Sequence, residues 1–163
     1  MKEFCRQRYS WSYVDEVVEN QGKLFDRIHE YCPGIDVEKF INDYMRSKFR
    51  EWMDDGHAYE LTLEPEDMWK RMCNLDKYQP PEGDRLYGFI PDWIGQFYAK
   101  FQWYCGIKSK DVIDLIPVSF LKNSYNCLHD LDLQIAVEKV ASQIASKQGL
   151  KLPVPKWYLE ENK

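Results

Sequence analysis

Apolar residues recur at three- and four-residue spacing along most of the chain, the period of an amphipathic α-helix. Val14, Val17, Val18, Leu24, Phe25, Ile28 and Cys32 make one such stripe, interrupted only by Gln21 and ended by Pro33 and Gly34. A second stripe runs through Ile41, Tyr44, Met45, Phe49, Trp52 and Met53 behind Asp36 as N-cap, with Ile35 and Phe40 at staple spacing. It reads as one helix, stopped by Gly56. Pro65 opens a short helix bearing Met68, Trp69 and Met72. The most apolar helix starts at Pro91, carries Trp93, Ile94, Phe97, Tyr98, Phe101 and Tyr104, and ends at Gly106. Ser109 is the expected cap of a short helix with Val112, Ile113 and Ile116, stopped by Pro117. Residues 118 to 128 form another, with Phe120, Leu121, Tyr125 and Leu128 expected inward. The last long helix starts near Asp132, carries Leu133, Ala136, Val137, Val140, Ala141 and Ile144, and ends at Gly149.

Three segments leave this period. Tyr59, Leu61 and Leu63 alternate with polar residues, which fits a short strand near 58–63, although no partner strand is evident. Residues 76–88 hold two prolines and two glycines and read as a loop separating two halves. The tail from 150 to 163 cannot be helical across Pro153 and Pro155 and reads as an extended arm bearing Trp157 and Tyr158. The expected fold is all-α, an irregular bundle of about six or seven helices. Residues 1–149 make one helical domain and 150–163 a C-terminal arm.

Composition adds a direction. The 163 residues include six Trp, eleven Tyr and eight Phe. Polar-tipped rings favour contact surfaces, so this excess points to a partner face as well as to an aromatic core. The net charge of −5 and a pI near 5.3 speak against gripping a phosphate backbone. Residues 109–128 have helix-turn-helix proportions, but their second helix offers only Lys122, Asn123 and Ser124 as readers, so nucleic acid is not the expected ligand. The five cysteines are spread without a C-x-x-C, which reads as reduced thiols. The start, MKEFCRQRYSW, lacks a signal-peptide apolar region, and no apolar run approaches the roughly 18 residues that span a bilayer. A cytoplasmic location and no membrane partner are expected.

One stretch, YNCLHDLD (125–132), raises a question of chemistry. His129 beside Asp130 and Asp132 is either a helix junction or the corner of an acid–base or ligand-binding site. As a junction, Asp132 or Asp130 caps the last helix and the imidazole bonds a nearby carbonyl or carboxylate. As a metal site it is short of ligands, because His29 and His57 stand on other elements and no H-x-x-x-H or E-x-x-H spacing supports them. Cys127 and His129 are two residues apart and do not share a helix face. There is no G-x-G-x-x-G, P-loop or G-x-S-x-G. No cofactor and no metal are expected.

Residues 90–140 resemble a group of small uncharacterised bacterial helical proteins. The shared features are Trp93, Ile94 and Gly95 at a helix opening, Tyr98 and Tyr104, Ser109 and Lys110 at a helix start, Tyr125, Leu128 and His129, and DLDLQIAVEKV as closing helix. Those proteins occur mainly in gut-type Firmicutes at toxin–antitoxin-like loci, often beside ADP-ribosyltransferase-like toxins. The resemblance implies an antitoxin-like or accessory role. The functional expectation is therefore a non-enzymatic protein-binding module of antitoxin or immunity type, with a toxin as one conceivable partner. Trp93, Tyr98, Trp103, Trp157 and Tyr158 are its candidate anchors. The alternatives are a small enzyme or ligand-binding protein using Tyr125, His129, Asp130 and Asp132, and a structural homodimer.

Overall fold

The computed structural model describes residues 7–148. These build an all-α bundle, led by a short 3-10 turn at Trp11–Tyr13. The helices are α1 (Val14–Tyr31), α2 (Val37–Met45), α3 (Lys48–Asp54), α4 (Ala58–Leu61), α5 (Pro65–Asp76), α6 (Ile90–Cys105), α7 (Ser109–Leu115), α8 (Val118–Leu128) and α9 (Leu133–Gln148). The expected tail, its residues Trp157 and Tyr158, and the stop at Gly149 lie outside the described residues.

The bundle is organised around α6. It is apolar on nearly every side, as a helix must be to run through a core. Ile94, Phe97, Tyr98, Ala99 and Phe101 are all buried, and α1 lies along it while α7, α8 and α9 pack on other sides. The α1–α6 crossing is close because two glycines meet there. A Cβ on Gly95 would fall 2.6 Å from the Gln21 carbonyl oxygen, and one on Gly22 would fall 2.9 Å from the Asp92 carbonyl oxygen. Gln21, the one polar interruption of the first stripe, is fully buried at this crossing. Its Nε2 donates to the Gly95 carbonyl at 2.8 Å and its Oε1 accepts from the Tyr44 hydroxyl at 3.1 Å. A polar side chain can sit in the core when both ends are satisfied in this way.

The structure departs from the sequence reading in four places. The segment near 58–63 is not a strand: α4 forms there, and Thr62 bonds back to the Ala58 carbonyl. Only an isolated bridge, Ile35 to Glu82, is extended pairing among the described residues. The second stripe is two helices, broken at Arg46. Ser47 is the new N-cap, accepting from Arg50 N at 3.0 Å, and the Asp76 carboxylate accepts from Lys48 N and Phe49 N. Two caps from different parts of the chain satisfy the first-turn donors that a continuous helix would have used internally. Ser109 is not a cap but the first residue of α7, with its hydroxyl turned to Asp54. Phe120, expected inward, is exposed. The first two changes account for nine helices among the described residues in place of six or seven.

The loop after α5 does not hang free. Gly83 N donates to the Gly34 carbonyl, while Asp36 N and Val37 N donate to the carbonyls of Pro81 and Asp84. Gly83 is required here, since a Cβ would come within 2.3 Å of the Asp36 carboxyl. The loop is thus tied at Pro81, Gly83 and Asp84 to the turn between α1 and α2.

Candidate functional site

At the junction singled out in the sequence, α8 ends at Leu128 and α9 begins at Leu133. Asp132 caps α9: its Oδ1 accepts from Gln134 N at 2.9 Å and its carbonyl accepts from Ala136 N. His129 lies over Tyr125, the rings 4.2 Å apart and nearly parallel, and Tyr125 meets Trp93 edge-on at 5.6 Å. The imidazole Nδ1 stands 2.6 Å from the Tyr125 carbonyl and Nε2 stands 3.1 Å from the Asp130 carboxylate. Both ring nitrogens are therefore engaged by acceptors. A general base needs a free nitrogen lone pair aimed at substrate. The imidazole side chain is 33% exposed and Asp130 is 82% exposed, so solvent reaches the pair. Tyr125, His129 and Asp130 are brought together, and Asp132 is occupied with the helix end. Among the described residues no group of three or more His, Cys, Asp or Glu side chains is placed to hold a metal ion.

Two of the proposed partner-binding aromatics are core residues. Trp93 packs against Phe97 and Tyr125. Tyr98 is fully buried, its hydroxyl donating to the Ile116 carbonyl at 2.6 Å, and burial holds that hydroxyl well above the ordinary tyrosine range. Neither can anchor a partner without opening the bundle, which corrects the expectation for both. Trp103 is half-buried. Its indole N–H donates to the Tyr9 carbonyl at 2.9 Å and Lys100 lies over its ring. It fastens the N-terminal segment to α6.

The electrostatic centre of the molecule is elsewhere and was not foreseen. Arg50 in α3 has no exposed side-chain surface and Asp54, one turn on, has 3%. Their Nη1 and Oδ1 atoms are 3.1 Å apart, and the other guanidinium nitrogen donates to Gln102 Oε1 at 3.3 Å. Asp54 also accepts from the Ser109 backbone N–H at 2.8 Å and from the Ser109 hydroxyl at 2.7 Å. Burial pushes the Asp54 carboxyl above its ordinary value, while Arg50 and the two Ser109 donors pull it back. This knot joins α3, α6 and α7 by ionic and hydrogen bonds that no solvent screens. Its members are all internal, so it binds the fold rather than a ligand.

Among the described residues Trp11 is a singly exposed ring at 75%, and two groupings of surface aromatics stand out, neither of them expected. One is a ladder in which the Arg71 guanidinium lies between the Trp52 and Tyr59 rings, at 5.6 and 5.5 Å, while His57 stacks on Trp52 and Arg71 pairs with Glu60. Its cation is paired with Glu60, and the cluster ties α3, α4 and α5 together. The other is the turn Tyr87–Gly88–Phe89 at the entrance to α6. Gly88 has φ +63°, which an L side chain rarely adopts, and the turn holds Tyr87 at 75% and Phe89 at 78% exposure. Asp92 lies in the first turn of α6, against Gly22 of α1. Asp26, one turn beyond Gly22, is held above the ordinary carboxylate range by partial burial and then by the Asp92 charge. The signal for this site was in the sequence: LYGFIPD places two aromatics outside the helical stripe on either side of a glycine.

No known protein family, curated protein or solved structure matches the chain. No helix among the described residues is long and apolar enough to cross a membrane.

Proposed function

We propose that this protein is a non-enzymatic protein-binding module of antitoxin, immunity or accessory type, acting in a bacterial cytoplasm. The observation that carries the reading is the Tyr87–Phe89 turn. Two large rings are held in water at 75% and 78% exposure on a loop whose base is hydrogen-bonded to the α1–α2 turn. Exposed aromatics on a rigid support lose little entropy on docking, and Tyr and Trp anchors dominate binding energy at interfaces. The acidic balance and the lack of a basic surface run keep nucleic acid out of the reading. The His129 junction is left a structural role, since its ring nitrogens already face the Tyr125 carbonyl and Asp130.

Placing a photo-crosslinking phenylalanine analogue at position 89, in the full chain and in its native cytosol, tests the proposal. The expected result is one discrete protein adduct that is missing when the analogue stands at position 139, on the exposed side of α9. For an antitoxin, expressing the adducted protein alone arrests growth and co-expressing this chain restores it. No adduct, or the same adducts from both positions, overturns the reading.

A further inference from the structure

We infer that Arg8 and Tyr9 form a displaceable strap, and that the seat beneath them is a further interaction surface, which takes a partner's chain segment carrying arginine followed directly by an aromatic residue. The inference does not depend on the Tyr87–Phe89 turn. Three contacts define the seat. Arg8 Nη2 stands 3.2 Å from Asp55 Oδ1. The Trp103 indole N–H donates to the Tyr9 carbonyl at 2.9 Å. The Tyr9 side chain enters the core, with only 7% of the residue exposed. Gly56 lets the end of α3 lie against the strap, since a Cβ there would stand 3.6 Å from the Arg8 carbonyl oxygen and 3.8 Å from Tyr9 Cβ. Each contact selects a type of group: a carboxylate takes a guanidinium, an indole N–H takes a backbone carbonyl, and an apolar recess takes a ring. A partner segment with arginine before an aromatic residue presents the same three groups in the same order.

The strap is an imperfect occupant of this seat. Its ion pair is half in water, the two side chains 27% and 45% exposed, where such pairs contribute little. Four buried side-chain polar atoms among the described residues have no hydrogen-bond partner, and three of them meet here: Arg8 Nε, the Tyr9 hydroxyl and Arg50 Nε. A buried polar group left unpaired opposes the docking that buries it. The strap therefore opens at lower cost than the helices it lies on, and opening bares the Trp103 indole and the Asp55 carboxylate together. Trp103 then becomes available to a partner, which its fastening to Tyr9 otherwise prevents.

The probe is the capped peptide Gln-Arg-Tyr-Ser, with Gln-Ala-Ala-Ser as its control, added to the full chain carrying Arg8→Gly and Tyr9→Gly. The readout is the Trp103 indole N–H resonance, assigned by its loss in Trp103→Phe. In the double variant the resonance is expected to leave its wild-type position and to return towards it as Gln-Arg-Tyr-Ser is added. The wild-type chain, whose own strap competes as a tethered ligand, should need at least about tenfold more peptide. Adding Asp55→Asn to the double variant should weaken the peptide about threefold. A resonance that ignores the peptide, answers the alanine control equally, or moves at the same peptide concentration in both chains overturns the inference. A second reading does not require the double variant to fold: trypsin cleavage after Arg8 in native buffer, located by mass spectrometry. Asp55→Asn alone should speed that cleavage about threefold with the thermal midpoint unchanged. Cleavage after Arg8 only under conditions that unfold the whole chain overturns the strap and the inference with it.

Discussion

Two pairs of ionisable side chains sit at opposite extremes of this molecule. Arg50 and Asp54 are sealed inside it, linked to Gln102 and Ser109, with no side-chain exposure above 3%. His129 and Asp130 lie at the edge, their side chains 33% and 82% exposed, one engaged with a backbone carbonyl and the other open to water. In sequence the second pair looks more like chemistry, because histidine and aspartate stand side by side. In the folded chain the first pair holds nearly all the electrostatic weight, because low-dielectric surroundings amplify both attraction and the cost of losing a partner. Adjacency of titratable residues says little about their energetics; burial says most of it.

The largest effect should come from breaking the inner pair. Asp54→Ala leaves a buried guanidinium with only Gln102 as side-chain partner, and removes the acceptor for both Ser109 donors. We expect a loss of about 3–5 kcal/mol in urea unfolding. Replacing both partners with apolar residues, Arg50→Met with Asp54→Leu, should recover a large part of that loss, since no orphaned charge remains. A double variant as unstable as the single one would show that the knot specifies the fold through its hydrogen bonds rather than its charges. Next comes Gly95→Ala, which probes shape at the same depth. The new methyl meets backbone atoms of Gln21 and Gly22 at 2.6 and 2.8 Å, so α1 and α6 must separate. A loss of about 1–3 kcal/mol, read as a lowered thermal midpoint, is expected.

What was legible in the sequence follows from the same contrast. The stripes of α1, α5, α6 and α9 were readable because each helix has an apolar face and a local start or stop: Pro33 with Gly34, Pro65, Pro91 with Gly106, and Asp132 act over one turn. The break between α2 and α3 was not, because the apolar stripe runs straight through it. One of its two caps, Asp76, comes from the end of α5, far along the chain. The strand near 58–63 was a false reading, since three alternating apolar residues are too few to distinguish a strand from one helical turn. Residue type alone points to Trp93 and Tyr98 as anchors, and the α6 stripe that contains them is the reason they are buried. Ser109 was read as a cap, and its tie to Asp54 spans too much sequence for any local pattern to show it. Tyr87 and Phe89 lay in the open, passed over inside a segment read only as a loop.

The junction should respond weakly, and in graded order. Asp132→Ala removes a side-chain cap and should cost about 1 kcal/mol in the same unfolding assay. His129→Gln keeps a hydrogen-bonding group near the Tyr125 carbonyl and gives up the ring stack, so a change within about 0.5 kcal/mol is expected. A larger effect for His129 than for Asp132 would reverse the ranking and place the imidazole, rather than the cap, at the centre of the junction.

Asp26 lies between the extremes, half-buried and charged, with Asp92 and Glu30 raising its pKa and His29 and Arg27 opposing them. Burial is the larger cause and the Asp92 charge the second, and together they hold the carboxyl above the value of an unfolded aspartate. The folded chain therefore keeps this proton more firmly than the unfolded chain does. The stability this supplies is complete below about pH 4, where both forms are protonated, and is lost as pH rises through the folded value. Asparagine cannot ionise and escapes that loss. Asp26→Asn should thus melt with wild type below pH 4 and slightly above it at pH 7, by less than about 0.5 kcal/mol for so open a site. Thermal melts at the two pH values read the difference directly. An offset that is the same at both would mean that shape, not charge, separates the variant from wild type. An offset that grows with pH would place Asp26 with the inner pair, among the groups whose surroundings rather than whose neighbours in sequence decide their chemistry.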